Sequence, residues 1–185
     1  PPSQAVGREL RLRSSRIRPS SRYVCAVPGA NLSIEPMRED DIERAVTFDT
    51  TSSWTAESLR DELARSWAQV WVRRRDGLAV AYLVVWFVVD EFHVLNLTTH
   101  PDERRRGHAR ALLHHGLTQP RETPLKLALL EVRRNNLPAI TLYESLGFRT
   151  VGERARYYDD GEDALEMKLS LNEDLLRSLA SRAKL

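Results

Sequence analysis

The first third of the chain shows two of the periodic patterns that predict regular secondary structure. Leu32–Arg38 alternates apolar and polar residues, which is typical of a strand, and Glu39–Phe48 follows with helical spacing and acids at its start. Thr55 precedes a second helical pattern that runs to Ala64, and threonine is a favourable N-cap residue. We therefore predict one strand followed by two short helices.

Three apolar segments and a turn predict an antiparallel meander in the middle of the chain. Gln69–Arg73 and Leu78–Val89 flank Asp76-Gly77, a strong two-residue hairpin signal, and Phe92–Thr99 follows after a further polar pair. Leu78–Val89 is the longest apolar run, and it is shorter than the roughly 18 residues that a membrane-spanning helix needs. We interpret it as a buried strand and expect no membrane segment.

The second half of the chain alternates helical and strand patterns, with Pro120 expected to end the first of its helices. The first predicted element is a helix with the apolar stripe Ala109, Leu112, Leu113 and Leu117, and a buried strand Leu125–Val132 follows it. Next come a helix Pro138–Leu146 closed by Gly147 and two strands, Phe148–Tyr157 and Ala164–Leu169. The last is a helix capped by Asn172, with Leu175, Leu176, Leu179 and Ala183 on one side. This order predicts a single α/β or α+β layer domain over 32–171, with an Arg/Pro-rich extension over 1–31 and a C-terminal helix over 172–185.

The positive charge of the chain is concentrated near its start. The 185 residues include 28 Lys and Arg and 26 Asp and Glu, and six of the arginines lie between positions 8 and 22. Glu9 is the one acid among residues 1–30, which leaves 22 basic and 25 acidic residues in the remaining 155. A mildly acidic body suits a basic peptide better than a phosphate backbone. We therefore expect no nucleic-acid binding by the folded domain, although the Arg-rich tail alone could contact RNA.

Cysteine and histidine usage bear on the compartment and on metals. Cys25 is the single cysteine, which excludes an internal disulfide framework, and the N-terminal stretch lacks the apolar core of a secretory signal, so we expect a cytoplasmic protein. His114 and His115 are adjacent on a predicted helix and point apart, and the other three histidines lack zinc-site spacing. We therefore expect no metal site.

A short basic segment lies where a strand gives way to a helix. Arg104–Ala109 reads Arg-Arg-Arg-Gly-His-Ala, and backbone N–H groups at such a junction converge on one point that binds phosphate. Gly107 and the small Ala109 allow the backbone to approach a pyrophosphate closely, and the arginines add attraction. Neither a Walker P-loop nor a Rossmann fingerprint is present. An exposed, Arg-rich helix start is the alternative interpretation of the segment.

The segment resembles the acetyl-CoA motif Gln/Arg-x-x-Gly-x-Gly/Ala of the GCN5-related N-acetyltransferase (GNAT) superfamily. A second block comprises Leu130–Asn136, Leu142–Phe148, Arg154 and Tyr157-Tyr158, followed by Glu162-Asp163-Ala164. This block is similar to the RimI-type enzymes that acetylate protein N-terminal amines. The resemblance runs from about residue 32 to residue 169. It implies a GNAT fold, in which a mixed, mostly antiparallel sheet with splayed fourth and fifth strands is flanked by helices.

The resemblance also implies the residues that hold acetyl-CoA. They are the backbone of Leu97, Thr98 and Thr99, the motif Arg104, Arg105, Arg106, Gly107, His108, Ala109 and Arg110, and the side chains of Asn136 and Tyr143. His108 occupies a variable position of the motif, and Asn136 is equally well explained as the N-cap of the following helix.

Glu131 and Tyr143 match the general base and the general acid of the RimI-type enzymes. Glu131 would accept a proton from the amine, and the phenol of Tyr143 would protonate the leaving thiolate of CoA. An α-amine has a pKa of about 7.7–8.0 against about 10.4 for lysine, so a modest base suits a protein N-terminus. The structural alternatives are a surface glutamate on an edge strand and a core tyrosine with a satisfied hydroxyl.

Aromatic and acidic residues in two loops suggest where a peptide lies. They are Trp54, between the first two helices, and Tyr157, Tyr158, Glu162 and Asp163, which the resemblance places around the substrate N-terminus. An ordinary solvated turn is the alternative for the acidic pair. Two other functions stay open at this level, namely a GNAT enzyme that acetylates lysine or a small amine, and a regulatory module that binds acetyl-CoA without turnover.

Overall fold

The computed structural model describes residues 30–48 and 54–182. The strands are β1 (Leu32–Pro36), β2 (Ala68–Arg75), β3 (Leu78–Val88), β4 (Glu91–Thr99), β5 (Leu127–Arg133), β6 (Arg149–Arg154) and β7 (Ala164–Ser170). The helices are α1 (Glu39–Ala45), α2 (Ala56–Ala64), α3 (His108–Leu117), α4 (Leu137–Ser145) and α5 (Glu173–Arg182), and 3-10 turns cover Val46–Phe48 and Pro101–Glu103.

All seven strands form one mixed sheet in the order β1-β2-β3-β4-β5-β7-β6. Strands β1 to β4 pair antiparallel, which confirms the predicted meander, and β5 joins β4 in the one parallel pairing among the described strands. The β2–β3 hairpin turns at Asp76 (φ 52°) and Gly77 (φ 83°). Two successive positive φ angles are what a two-residue hairpin requires, and this explains the strength of the Asp-Gly signal.

Strands β4 and β5 are paired along only part of their length. The parallel ladder joins Glu91–Val94 to Leu127–Leu130 and ends there. At the same place the β3–β4 register shifts, so that Val84 faces Asn96 and Val85 faces Val94, which leaves Leu95 as a bulged residue. A bulge bends its strand, so β4 turns away from β5 beyond Val94. The predicted splay between the fourth and fifth strands is confirmed.

Helices cover the two faces of the sheet and bury separate cores. One core, under α1 and α2, contains Ile42, Phe48, Leu59, Tyr82 and Val84 among its residues. The other core lies under α3, α4 and α5, and Leu112, Leu113, Phe148, Met167 and Leu179 belong to it. Leu179 is 3% exposed, and α5 contacts α3, so the C-terminal helix is packed onto the domain.

A buried ion pair fixes α1 to the sheet. Arg74 on β2 donates from both terminal nitrogens to Asp41 on α1, at 2.8 and 2.7 Å, and the two side chains are 7% and 8% exposed. Arg74 also donates to Glu35 at 3.0 Å, while the other carboxylate bond of Asp41 comes from the Arg38 backbone N–H at 2.9 Å. Both oxygens of the Asp41 carboxylate therefore accept hydrogen bonds inside the protein.

Several predicted elements differ in detail from those observed. The first helix loses α-helical geometry after Ala45 and continues as a 3-10 turn to Phe48. Strand β5 is buried at alternate residues, with one row toward α3 and the other half-exposed, rather than throughout. Thr55 caps α2 by accepting from the Ser58 N–H at 3.1 Å, as predicted. Most of the Arg-rich extension, with Cys25, and Ala183 lie outside the described residues.

Candidate active site

A cleft of about 680 Å³ opens where β4 and β5 part, between the N-terminal ends of α3 and α4. Its walls include eleven of the twelve residues predicted to hold the cofactor: Leu97, Thr98, Thr99, Arg104, Arg105, Gly107, His108, Ala109, Arg110, Asn136 and Tyr143. Glu103, Pro138, Ala139, Thr141, Leu142 and Ser145 complete the lining. Residues from the two blocks that carry the resemblance thus meet in one cleft.

The predicted phosphate cradle forms the basic wall of the cleft. Gly107, with φ 82°, is the N-cap of α3, and as a glycine it has no side chain that could accept from the first N–H groups of the helix. A β-carbon at Gly107 would meet nothing within 4 Å, so the backbone is open on that side, and the positive φ is the feature that requires glycine. The first N–H groups of α3 therefore point into the cleft together with the positive end of the helix dipole.

The three motif arginines divide into two roles. Arg104 and Arg105 line the cleft, whereas Arg106 does not, because its guanidinium pairs with Glu103 at 3.3 Å. Arg110, one turn into α3, also lines the cleft and donates to Ser145 Oγ on α4 at 2.7 Å. Of the predicted arginines, Arg104, Arg105 and Arg110 thus line the cleft and Arg106 does not.

Glu103, which lies outside the predicted motif, organises the base of the cradle. It accepts from Arg75 at 3.0 Å and contacts His108 Nε2 at 3.2 Å in addition to Arg106. Burial opposes the ionisation of Glu103, but the bonds from His108 and Arg75 outweigh it, so its pKa is lowered. His108 is 5% exposed, and burial lowers its pKa despite Glu103. The buried His108 side chain therefore contacts Glu103 and also lines the cleft.

Tyr143 and Asn136 come from α4. Asn136 accepts from the Ala139 N–H at 3.3 Å, so its predicted capping role is confirmed while its side chain also lines the cleft. Tyr143 is 6% exposed, with its ring centroid 5.7 Å from that of Phe148. Burial raises the pKa of the Tyr143 hydroxyl well above its ordinary value, and Tyr158 adds to the rise. The phenol therefore keeps its proton throughout the neutral range.

Glu131 lies on β5 immediately after the ladder with β4 ends. Leu130 and Val132 on either side of it are buried in the core under α3, so the Glu131 side chain points to the opposite face of the sheet. Its carboxylate is 32% exposed and pairs with Arg154 of β6 at 3.4 Å. Glu131 therefore lies on one face of the sheet and the cleft opens on the other face, with the gap between β4 and β5 lying between them.

The β6–β7 loop brings Tyr157 and Tyr158 beside this face. Their rings meet edge to face at 5.2 Å, and the Arg133 guanidinium lies 4.0 Å from the Tyr158 ring centroid. Burial raises the pKa of Tyr158 to about 12 against the opposing charge of Arg133, and the Glu131 carboxylate contributes to the rise. Tyr158 is therefore within electrostatic reach of both Glu131 and Tyr143.

The two predicted substrate acids have partners inside the loop. Glu162 accepts from Arg133 at 2.8 Å and from the Asn135 N–H at 3.0 Å. Asp163 accepts from the Arg156 N–H at 2.8 Å. Both acids hold the loop in shape, and pairing of either one with a substrate arginine stays a prediction.

Trp54 lies apart from the cleft. It lines a second, shallow hollow of about 360 Å³ together with Ser58, Asp61, Glu62 and Arg65, and it packs against the core under α1 and α2. None of these residues lines the cleft at α3, so the structure does not bring Trp54 together with the other candidates.

Residues 30–48 and 54–182 also bear on metal binding and on membrane spanning. No group of three or more His, Cys, Asp or Glu side chains is placed to hold a metal ion. No helix in the same ranges is long and apolar enough to cross a membrane.

Comparisons with known proteins identify the family of the chain. The model of the acetyltransferase (GNAT) family matches residues 37–148. A putative ribosomal protein bS18-alanine N-acetyltransferase from Bacillus subtilis (strain 168) is 32% identical over 146 residues, covering 76% of this chain and 97% of the relative.

Two solved structures extend the likeness to three dimensions. The crystal structure of the ribosomal-protein-S18-alanine N-acetyltransferase from Escherichia coli superposes with a TM-score of 0.69 and 29% identity, covering 78% of this chain and 98% of that one. Arabidopsis thaliana NAA60 in complex with acetyl-CoA has a TM-score of 0.67 at 19% identity, covering 77% of this chain and 99% of that one, a likeness of fold alone.

Proposed function

The chain belongs to the acetyltransferase (GNAT) family and is an N-acetyltransferase, and from this premise we propose that it transfers an acetyl group from acetyl-CoA to the α-amine of a protein N-terminus. The relatives named for the alanine N-terminus of ribosomal protein bS18 support this substrate class. A polypeptide that begins with alanine, such as a ribosomal protein, is the substrate that we propose.

The residues of the cleft fit acetyl-CoA. Backbone N–H groups after Gly107 and the guanidiniums of Arg104, Arg105 and Arg110 suit a pyrophosphate. The edge of β4 after Val94 has no partner on β5, so the backbone of Leu97 and Thr99 suits a pantetheine arm that binds as an added strand would bind. The Thr99 carbonyl accepts from Arg104 Nε at 3.4 Å, and the arm would compete with this bond. Asn136 supplies a side-chain amide at the opposite wall.

When bound, acetyl-CoA supplies an acetyl group activated as a thioester. In our proposal Glu131 accepts a proton from the substrate ammonium, directly or through a water, which leaves a neutral amine as the nucleophile. The nitrogen bonds to the acetyl carbon, and backbone N–H groups near Leu97 and Thr98 donate to the acetyl carbonyl oxygen. As the C–S bond breaks, the Tyr143 hydroxyl donates a proton to the sulfur that leaves, and the second proton of the nitrogen restores the phenol through solvent. The raised pKa of Tyr143 keeps the required proton in place before the reaction.

One observation carries the proposal: Tyr143 lines the cleft while Glu131 lies just past the point where β4 and β5 part. An amine that arrives from the Glu131 face and a thioester that arrives from the cleft meet in the gap between the strands. Tyr157 and Tyr158 border the Glu131 face, where they suit the first residues of a peptide. Trp54 lies in a separate hollow, so its proposed contact would be with a part of the peptide farther from the amine that is acetylated.

The test compares three acceptors by mass spectrometry with acetyl-CoA as donor. They are a peptide with a free Ala-Arg N-terminus, the same peptide blocked at its N-terminus but containing lysine, and spermidine. We expect acetylation of the free N-terminus alone. Reaction of lysine or spermidine only would refute the proposed substrate class and leave an acetyltransferase of other specificity, and acetyl-CoA binding without turnover would point to a regulatory module.

Substitution of the two proposed catalytic residues tests their roles separately from the substrate class. Glu131→Gln and Tyr143→Phe should each reduce kcat by about a hundredfold or more, because positioned acids and bases contribute on that scale. Acetyl-CoA binding should persist in both variants. Glu153→Gln is the matched control, since Glu153 is an exposed β6 carboxylate that pairs with Arg134 and does not line the cleft. Full turnover in both test variants would contradict the assignment.

A further inference from the structure

We propose that Arg154 is a positioning residue for acetyl transfer, which fixes the Glu131 carboxylate beside the gap between β4 and β5. The proposal rests on the role of Glu131 as the base in the proposed function. It adds Arg154 and its anchor Glu166 to the machinery of the reaction. Neither residue touches the cleft, so both would act through Glu131.

Two carboxylates lie opposite each other on neighbouring strands. In the β5–β7 ladder Glu131 faces Glu166 directly. Like charges in this arrangement repel, and without compensation such a pair tends to hold a proton between its members. A base that keeps a proton cannot accept another from an ammonium. The ladder therefore creates a specific need for a cation at this point.

Arg154 supplies that cation. Its Nε donates to Glu166 Oε1 at 2.5 Å, and its Nη2 lies 3.4 Å from Glu131 Oε1. One guanidinium therefore contacts both carboxylates, and its rigid, planar fork fixes their relative directions. The pKa of Arg154 is raised first by the bond with Glu166, then by the charges of Glu166 and Glu131.

A glycine makes room for this bridge. Gly152 on β6 pairs with Glu166 across an irregularity in the β6–β7 ladder, and a β-carbon at Gly152 would collide with the Glu166 carboxylate. The Glu166 side chain therefore lies over β6 toward Arg154 instead of pointing straight out from the sheet. On the other side, the Arg154 guanidinium is 5.4 Å from the centroid of the Tyr157 ring. Packing from two sides restricts where the guanidinium can lie.

The other charged groups around this face are engaged elsewhere or lie farther along the strands. Arg133, two residues after Glu131 on β5, pairs with Asp160 and Glu162. Lys168 lies two residues beyond Glu166 on β7 and faces Leu129, and Tyr158 in the β6–β7 loop is neutral because burial raises its pKa. From β4, His93 faces Leu129 and pairs with Glu91. Among the described residues, Arg154 is the cation that bridges Glu131 and Glu166.

The experiment uses the free Ala-Arg peptide as acceptor and measures kcat and the KM for acetyl-CoA. The pH dependence of kcat is then measured at saturating acetyl-CoA. Arg154→Gln should lower kcat at neutral pH by roughly tenfold to a hundredfold, the scale of a misplaced catalytic group, and leave the KM for acetyl-CoA within about twofold. The acidic limb of the kcat profile should move to higher pH, because the two facing carboxylates then retain a proton. Arg154→Lys should restore part of both changes.

Two further variants separate positioning from general damage. Glu166→Gln removes the repulsion and leaves Arg154 to Glu131 alone, so the acidic limb should move to lower pH, opposite to its movement in Arg154→Gln. Arg134→Gln is the matched control, because Arg134 is a neighbouring arginine that pairs with Glu153 and does not contact Glu131. This control should keep the kcat and the limb of the unmodified protein.

The outcomes distinguish this proposal from the one it rests on. Unchanged or increased kcat in Arg154→Gln, or limbs that move in the same direction in both variants, would overturn the role of Arg154. If Glu131→Gln also keeps full turnover, then the assignment of the base is wrong, whereas loss of turnover in Glu131→Gln alone leaves the base in place. Should Arg154→Gln fail to fold, the opposite limb shifts of Arg154→Lys and Glu166→Gln provide the same test.

Discussion

Replacing Asp41 with asparagine should destabilise the protein strongly while preserving its shape. The substitution removes the charge that faces the buried Arg74, but the remaining amide oxygen still accepts from the Arg38 N–H. Breaking a buried ion pair by removing one partner costs about 3–5 kcal/mol. Because Glu35 still accepts from Arg74 at 3.0 Å, we expect a loss near the lower limit, about 3 kcal/mol.

Thermal unfolding followed by circular dichroism measures this loss. In a chain of this size 1 kcal/mol corresponds to about 2–4 °C in Tm, so the Tm of Asp41→Asn should fall by about 6–12 °C. Asp40→Asn is the matched control, because Asp40 is the neighbouring exposed acid of the same helix, and its replacement should change stability by about 0.5 kcal/mol or less.

A double substitution tests the physical reason for the loss. Asp41→Asn combined with Arg74→Met removes both charges, so the combined loss should be clearly smaller than the sum of the two single losses. A Tm within about 2 °C of the unmodified protein for Asp41→Asn, or strict additivity in the double variant, would refute the view that an uncompensated guanidinium dominates the cost.

Three further outcomes follow from other parts of the structure. Gly116→Ala should lower the free energy of unfolding by about 1 kcal/mol, since its β-carbon would lie 2.9 Å from Phe92 Cζ and the overpacking exceeds the gain in helix propensity; an increase in the urea midpoint would contradict this. Arg110→Ala should raise the KM for acetyl-CoA about tenfold with little change in kcat, and an unchanged KM would remove Arg110 from the binding wall. Burial lowers the pKa of His108 and His115, so just below pH 6.5 the unfolded chain binds more protons than the folded protein does. The urea midpoint should therefore be lower at pH 5.5 than at pH 7.5, and His108→Gln should reduce this difference. An equal midpoint at both pH values would contradict the predicted direction.

Local rules predicted much of the fold because they act over a few residues. Thr55 caps a helix, Asp76-Gly77 turns a hairpin with two positive φ angles, and Gly147, with φ 97°, closes α4. Each of these depends on backbone geometry that a short segment of sequence specifies. The basic turn at the start of α3 was predictable for the same reason, since Gly107 and the arginines before it are consecutive.

Contacts between distant segments could not be read from local patterns. Asp41 and Arg74 are 33 residues apart, and nothing in either segment distinguishes this buried pair from exposed acids and bases nearby. Glu103 likewise precedes the recognised motif, and its role depends on Arg75 of a different strand. The bridge from Arg154 to Glu131 exists only because β7 lies between β5 and β6 in the sheet, an order that pairing decides and periodicity does not.

The bulge at Leu95 has a consequence for which parts of the β4 sequence can vary. Beyond Val94 the strand presents its main chain to the gap, and N–H and C=O groups are the same for every residue except proline. Recognition through these groups depends on the path of the strand and tolerates many side chains. In the proposed binding mode, the identities of Leu97, Thr98 and Thr99 can therefore adapt to the packing of the sheet and to the acceptor peptide, while the backbone keeps the cosubstrate in the same register.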